Sequence, residues 1–90
     1  MEAKRIVELV FSDWKIVKSF LLKLKFEIVE TDQGQIIQTK LMKVGFNWES
    51  LDFYTRATQL GFILHGGRGF SEYPNLHTEI NLEYQRREKA

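Results

Sequence analysis

Residues 4–25 have the sequence KRIVELVFSDWKIVKSFLLKLK, in which a strand pattern passes directly into a helix pattern. The segment from Lys4 to Phe11 is rich in β-branched and apolar residues, which predicts a strand buried on most of both faces. Ser12 is a good N-cap and Asp13 lies where the helix dipole favours an anion, so a helix is expected from Ser12 to Lys25. At helical spacing its apolar residues fall in one arc and its lysines in the other. The chain therefore begins with a strand and an amphipathic helix.

The next segment predicts a β-hairpin. Residues Phe26 to Glu30 and Gln35 to Lys43 alternate between apolar and polar types, and the turn Thr31-Asp32-Gln33-Gly34 separates them. Strict alternation on both sides of a polar, glycine-containing turn is typical of two paired strands.

A second helix is expected from Trp48 to Leu60. Asn47 is placed as its N-cap, and Asp52 and Arg56 have the i, i+4 spacing of a helical ion pair. Gly61 fits the left-handed position that commonly ends a helix.

The remaining segments are expected to be strands joined by a loop. Phe62 to His65 predicts a short strand, and Gly66 to Asn75 predicts a loop because it holds three glycines and the single proline. Thr78 to Tyr84 alternates and predicts a last strand. Residues 85–90 are polar and are expected to be a frayed tail.

These elements predict an α+β fold of one domain, residues 1–90. Its expected architecture is a two-layer ferredoxin-like βαββαβ arrangement with an added C-terminal strand, two helices lying on one face of a mainly antiparallel sheet. The side chains expected in the core are Ile6, Leu9, Phe20, Leu24, Ile28, Leu41, Phe53, Ile80 and Leu82.

Composition limits the function classes. Hydrophobic residues make up 43% and charged residues 28% of the chain, as expected of a folded globule. The chain has no cysteine and a net charge of +1, so thiolate metal sites are excluded and no global field favours nucleic acid or membrane. Because no signal h-region or membrane span is apparent, a cytoplasmic location is expected.

The glycine-rich stretch His65-Gly66-Gly67-Arg68-Gly69-Phe70 is the first candidate contact region. It lacks the Gly-Lys-Ser/Thr pattern of a phosphate-binding loop, so its plain interpretation is a flexible hairpin loop. The functional interpretation is a mobile segment that orders on binding, in which Arg68, Phe70 and Tyr73 contact a partner.

The lysine face of the first helix is the second candidate. Leu22 lies in the middle of this face, among Lys15, Lys18, Lys23 and Lys25, where it could be an apolar anchor with lysines that steer an acidic partner or a phosphate backbone. A lone exposed leucine is also ordinary. Trp14 and Trp48 admit two interpretations as well, either as side chains that pack a helix onto the sheet or as aromatic anchors of an interface.

The two histidines raise a catalytic alternative. His65 and His77 with Arg68 and Tyr73 would be an acid–base and phosphate-stabilising set for RNA cleavage. The alternative is that both histidines are structural. No metal site, no cofactor and no catalytic constellation is expected, because no further ligand or nucleophile motif is present.

The residues therefore favour a non-enzymatic protein-binding module, such as an adaptor, inhibitor or regulatory subunit. The alternative is a small RNA-binding or RNA-cleaving protein that uses His65, Arg68 and His77. A homodimer is also expected, because the last strand would present an unprotected edge. A protein partner is expected, and no membrane; nucleic acid is the less favoured partner because the net charge is near zero.

Overall fold

The computed structural model describes residues 7–89. Within them, five strands and three helices follow one another in the order βαββββαα. The strands are β1 (Glu8–Phe11), β2 (Glu27–Glu30), β3 (Gln35–Val44), β4 (Asn47–Thr58) and β5 (Gly61–His65). The helices are α1 (Trp14–Lys23), α2 (Arg68–Glu72) and α3 (Pro74–Glu88).

The strands form one antiparallel sheet with the order β1-β5-β4-β3-β2. Strands β2 to β5 form a meander, and β1 pairs with β5 at the far edge. The helices cover one face of this sheet, where one apolar core contains side chains of all three helices and of the strands. Its buried members are Leu9, Phe11, Val17, Leu21, Phe26, Leu51, Phe53, Leu64, Phe70, Leu76, Ile80 and Tyr84.

The expected α+β class is confirmed, but the sheet does not have the ferredoxin-like arrangement. The strand order differs from the prediction, because β4 takes the place of the second expected helix and α3 takes the place of the last expected strand.

The N-cap of helix α1 lies one residue after the expected Ser12. Asp13 is its N-cap, and the Asp13 Oδ1 atom accepts a hydrogen bond from the Lys15 N–H at 3.0 Å. At the other end, Lys25 has a φ of 71°, and its N–H donates to the Leu22 carbonyl while the Phe26 N–H donates to the Leu21 carbonyl. This pair of bonds is a Schellman cap, which ends the helix and turns the chain into β2.

The predicted hairpin is confirmed. Strand β2 pairs with β3 from Glu27 opposite Thr39 to Glu30 opposite Ile36, and residues 32–34 form the turn. The predicted strand from Phe62 to His65 is also confirmed and lies within β5. The first predicted strand is present as β1, and its expected residues 4–6 lie outside the described part.

The helix predicted from Trp48 to Leu60 is wrong, since residues 47–58 form β4. Leu51, Phe53 and Thr55 are buried while the residues between them are exposed, which is the period of a strand facing a core on one side. Asp52 and Arg56 form no ion pair with each other. The Asp52 carboxylate accepts a hydrogen bond from the Thr39 hydroxyl at 3.1 Å instead.

The loop and the strand predicted after His65 are also wrong. Residues 68–72 form α2, and Pro74 stands at the first turn of α3, where its missing N–H costs nothing. Leu76, Ile80 and Tyr84 are buried at a spacing of four and form the inner face of α3. The expected frayed tail is helical as far as Glu88, and the edge strand on which the dimer prediction depended is absent from the described residues.

The predicted core is confirmed in part. Leu9, Phe53 and Ile80 are buried, and Phe20, Leu24 and Ile28 are half-buried against the core. Leu41 and Leu82 are exposed by 61% and 60%, so those two assignments are wrong. Leu82 faces away because α3 is a helix, and Leu41 lies on the side of the sheet that no described helix covers. Ile6 lies outside the described residues.

Candidate binding surface

Among residues 7–89, helices cover one face of the sheet and leave the other face open. Helices lie on the face that carries Leu51, Phe53 and Thr55 of β4. Because successive strand residues point to opposite faces, the even-numbered residues of β4 point to the other side, together with their register partners on neighbouring strands. The apolar and aromatic residues placed on this open face are Val10, Val29, Ile37, Leu41, Trp48, Tyr54 and Ile63.

A row of residues crosses the open face from one strand to the next. His65 is paired with Tyr54, Tyr54 with Ile37, and Ile37 with Val29. Tyr54 and Val29 are both exposed. Directly paired side chains lie close enough to touch, so this row is a continuous apolar strip with a histidine at one end.

The open face continues onto a projecting hairpin, residues Lys40–Leu51, which we call the arm. Strand β2 pairs with β3 only as far as Thr39, and β5 pairs with β4 only as far as Tyr54, whereas β3 and β4 pair with each other up to Val44 opposite Asn47. The arm is therefore a two-stranded ribbon that extends beyond its neighbours.

The arm exposes large apolar side chains. Its turn consists of Gly45, whose φ is +64°, and Phe46, whose side chain is 98% exposed. A first turn residue with positive φ is the usual place for glycine in a tight hairpin. Trp48 is 64% exposed and lies with Leu41 on the open side. Three large apolar side chains thus project at or near the end of the ribbon.

Arg68 and Tyr73 support the arm from the helix side. The Arg68 guanidinium lies 2.8 Å from the Glu49 carboxylate and 3.1 Å from that of Glu72, and hydrogen bonds to Glu72 and Glu49 raise the pKa of Arg68. The Tyr73 hydroxyl donates to the Lys43 carbonyl. A two-stranded ribbon is marginally stable by itself, so these contacts help to hold it in one orientation.

Phe70 cannot be a surface anchor in this structure, because its side chain is fully buried. Its ring lies 5.4 Å from that of Phe53 and 5.1 Å from that of His77. The expected contact role of Phe70 is therefore corrected to a core role.

The glycines of the same stretch serve packing. A Cβ atom at Gly69 would lie 2.2 Å from the Phe53 ring, and one at Gly66 would lie 2.1 Å from the Phe70 ring. Gly67 has a φ of +48°, in the region that favours glycine. The sequence that suggested a mobile loop is a tight turn into α2, placed against aromatic rings.

The lysine face of α1 is only partly free. Lys15, Leu22 and Lys25 are exposed, whereas the Lys18 ammonium lies 3.1 Å from the Glu30 carboxylate. The Trp14 indole N–H also donates to Glu30, at 3.0 Å. The hydrogen bonds from Lys18 and Trp14 lower the pKa of Glu30. Trp14 therefore has the structural role, and the exposed tryptophan is Trp48.

The proposed acid–base set is not assembled. The Arg56 Nε–H donates to His65 Nε2 at 3.3 Å, and His77 Nε2 lies 2.7 Å from the Glu8 carbonyl oxygen, to which an Nε2–H donates. Arg68 binds two carboxylates. No hydrogen bond joins any two of His65, Arg68 and His77 in the described part of the chain.

The open-face surface was the main feature that the sequence interpretation missed. Of its residues, only Trp48 is a predicted interface side chain, and only in one of its two interpretations. The signal was present in the alternation of Leu51, Phe53 and Thr55 and in the pair Gly45-Phe46, which is a hairpin turn when strands flank it. Asn47 and the Asp52–Arg56 spacing instead favoured a helix at the position of β4.

No family model, curated protein or solved structure matches this chain. Among residues 7–89 there is no group of three or more His, Cys, Asp or Glu side chains able to hold a metal ion. No helix in the same range has the length and hydropathy needed to cross a membrane.

Proposed function

We propose that this chain is a non-enzymatic protein-binding module, an adaptor, inhibitor or regulatory subunit that acts in the cytoplasm by occupying the surface of a partner. The proposal depends on one observation: the open face of the sheet continues into an arm whose Phe46 and Trp48 side chains are exposed.

Contiguous exposed apolar surface supports this function. A monomeric protein rarely leaves a broad apolar patch in water, and such patches commonly mark interaction sites. Tryptophan and tyrosine are enriched among the residues that dominate interface energies, and Trp48 and Tyr54 both lie on the open face. The surface therefore has the side chains that a protein interface uses.

The charges of the open face favour a protein over RNA. Lys43 and Arg56 lie there with Glu27, Asp52 and Glu8. A phosphate backbone is bound by a predominance of lysine and arginine, whereas mixed charges around an apolar centre resemble the rim of a protein interface. The separate hydrogen bonding of His65, Arg68 and His77 also gives the RNA-cleaving alternative no support.

Affinity purification from the cells that produce the protein tests the proposal. The bait is the wild-type chain, and the comparison is the double variant Trp48→Ala, Tyr54→Ala. We expect a stoichiometric protein in the wild-type eluate, and about a 30-fold or greater loss of affinity in the variant, since truncation of an interface anchor costs about 2 kcal/mol or more.

The matched control is Leu60→Ala, since Leu60 is exposed but lies in the turn between β4 and β5, at the opposite end of the sheet from the arm. It should retain the partner. Mass spectrometry identifies the protein, and the ratio of absorbance at about 260 and 280 nm detects nucleic acid. Co-eluting RNA, or a partner retained by the double variant, would contradict the proposal.

A further inference from the structure

The outer edge of β3 in the arm has no strand neighbour within the described residues. Strand β2 accompanies β3 only from Ile36 to Thr39, and beyond Thr39 the edge continues through Lys40 to Val44. The register between β3 and β4 runs without a bulge from Gln35 opposite Arg56 to Val44 opposite Asn47. The edge is therefore regular, which is the form that accepts an added strand.

The hairpin turn determines which backbone groups face outward. In a hairpin with a two-residue loop, the residues flanking the loop bond to each other, here Val44 and Asn47. Alternation then directs the backbone groups of Leu41 and Lys43 away from β4, on the side where Thr39 meets Glu27 of β2. The Lys43 carbonyl accepts from Tyr73, and within residues 7–89 the Leu41 N–H and C=O and the Lys43 N–H have no partner, so these three groups can pair with an incoming strand.

Most of the charges beside this edge are basic, and the acidic exception is Glu27, which lies opposite Thr39 where the pairing with β2 ends. Lys40 and Lys43 belong to β3, and the Lys40 ammonium binds the Leu24 carbonyl, which brings it beside Lys25. Among residues 7–89, these three lysines form no ion pair. Pairing of β3 with β3 of a second copy would bring like charges together, whereas an acidic strand would be attracted.

We propose that the arm binds an extended, acidic segment of the partner protein as an added strand along β3. This inference rests on the proposed protein-binding function. The backbone groups of Leu41 and Lys43 bond to the segment, Leu41 and Phe46 contact its apolar side chains, and the lysines select for Asp and Glu. Because α2 and Tyr73 already hold the arm in place, little order has to be gained on binding.

Selection from a displayed library of random linear peptides of about twelve residues, longer than the exposed edge, tests this mode. The wild-type chain should enrich peptides in which Asp or Glu alternates with apolar residues. The affinity of an enriched peptide is then measured by fluorescence anisotropy. Lys43→Glu should weaken it about tenfold, whereas the control Lys89→Glu, at an exposed lysine that ends α3, should leave it unchanged.

Backbone pairing is tested on the unaltered protein by amide hydrogen exchange. Added peptide should slow exchange at Leu41 and Lys43, and should change little at Met42, whose N–H already faces β4. Failure to enrich any peptide, enrichment of basic or helical sequences, or unchanged exchange at Leu41 and Lys43 overturns the inference.

These outcomes are separable from failure of the proposed function. If the Trp48→Ala, Tyr54→Ala variant loses the natural partner while Lys43→Glu and the amide exchange show no effect, the open face binds protein but no strand is added. If the double variant retains the partner, the binding surface itself is wrong.

Discussion

Lys25 has an unusual backbone conformation for a residue with a side chain. Its φ of 71° lies in the left-handed region, where the Schellman cap of α1 requires it. A non-glycine residue there is less stable than in the right-handed region by about 1–2 kcal/mol. The backbone at Lys25 is therefore strained, and this strain accompanies the turn of the chain from α1 into β2.

Lys25→Gly should consequently stabilise the protein by up to about 1 kcal/mol, since glycine adopts this conformation without strain but loses more chain entropy. Urea unfolding measures the change. Lys23→Gly, in the last turn of the helix, is the control and should destabilise by up to about 1 kcal/mol. Equal losses from both substitutions would contradict the account of the cap.

Gln38 and Thr55 are polar residues in an otherwise apolar interior. Both are buried, and the Gln38 side-chain amide donates to the Thr55 hydroxyl at 2.8 Å. The Gln38 Oε1 atom is buried and has no hydrogen-bond partner. An unpaired buried polar atom costs about 1–3 kcal/mol, so this pair stabilises the interior less than apolar side chains of the same size would.

The double variant Gln38→Met, Thr55→Val should therefore be as stable as the wild type or more stable, because both polar groups are replaced by apolar groups of similar size. Thr55→Val alone should lose about 1–3 kcal/mol, because it leaves the Gln38 amide unpaired as well. A double-mutant cycle of urea unfolding free energies measures the coupling. A double variant that loses as much stability as the two single variants together would contradict this account.

At the scale of elements, the contact between α2 and β4 depends on the absence of a side chain at Gly69. Gly69→Ala would place a methyl group 2.2 Å from the Phe53 ring, so the ring or the helix must move. We expect a loss of about 1–3 kcal/mol, as for other overpacked cores. Thermal unfolding measures it, and adding Phe53→Leu to Gly69→Ala should recover part of the loss. No recovery would place the strain elsewhere.

Glu30 connects α1 to β2 through Lys18 and Trp14, and these hydrogen bonds lower its pKa. A carboxylate with a lowered folded-state pKa contributes stability above its unfolded pKa, and this contribution is lost as the pH falls through the folded value. Glu30→Gln should therefore lower the unfolding temperature at pH 7, and the difference from wild type should shrink below about pH 4. A difference that is constant with pH would exclude the charge as its cause.

At the scale of the whole molecule, the sequence predicted the chain well as far as the β2–β3 hairpin. There the periods are unambiguous, since α1 has a wide apolar arc and the hairpin alternates around a polar turn. The later errors have one physical origin. A spacing of four residues satisfies both a helix, in which such residues are neighbours, and a strand, in which they share a face.

Two segments show how this ambiguity acted. Asp52 and Arg56 lie four apart on one face of β4, and Ile80 and Tyr84 lie four apart on one face of α3. Leu82 distinguishes the two structures, since it shares a face with Ile80 and Tyr84 in a strand but not in a helix. An exposed leucine is common, however, so the pattern alone does not exclude the helix. The candidate site depended on these assignments. Arg68 and Tyr73 are therefore predicted as partner contacts, although in the structure they support the arm.

Helix α3 forms hydrogen bonds with β1 and with the two residues that follow it. The Ser12 and Asp13 N–H groups donate to the Tyr84 hydroxyl at 3.0 and 3.2 Å, and Glu8 is bound by His77. β1 therefore acquires its strand partner and these contacts only after residues 61–84 have been synthesised, whereas β2, β3 and β4 pair from consecutive segments. Because such local pairings form sooner than distant ones, we expect β2, β3 and β4 to be paired in a nascent chain before β1 joins the sheet.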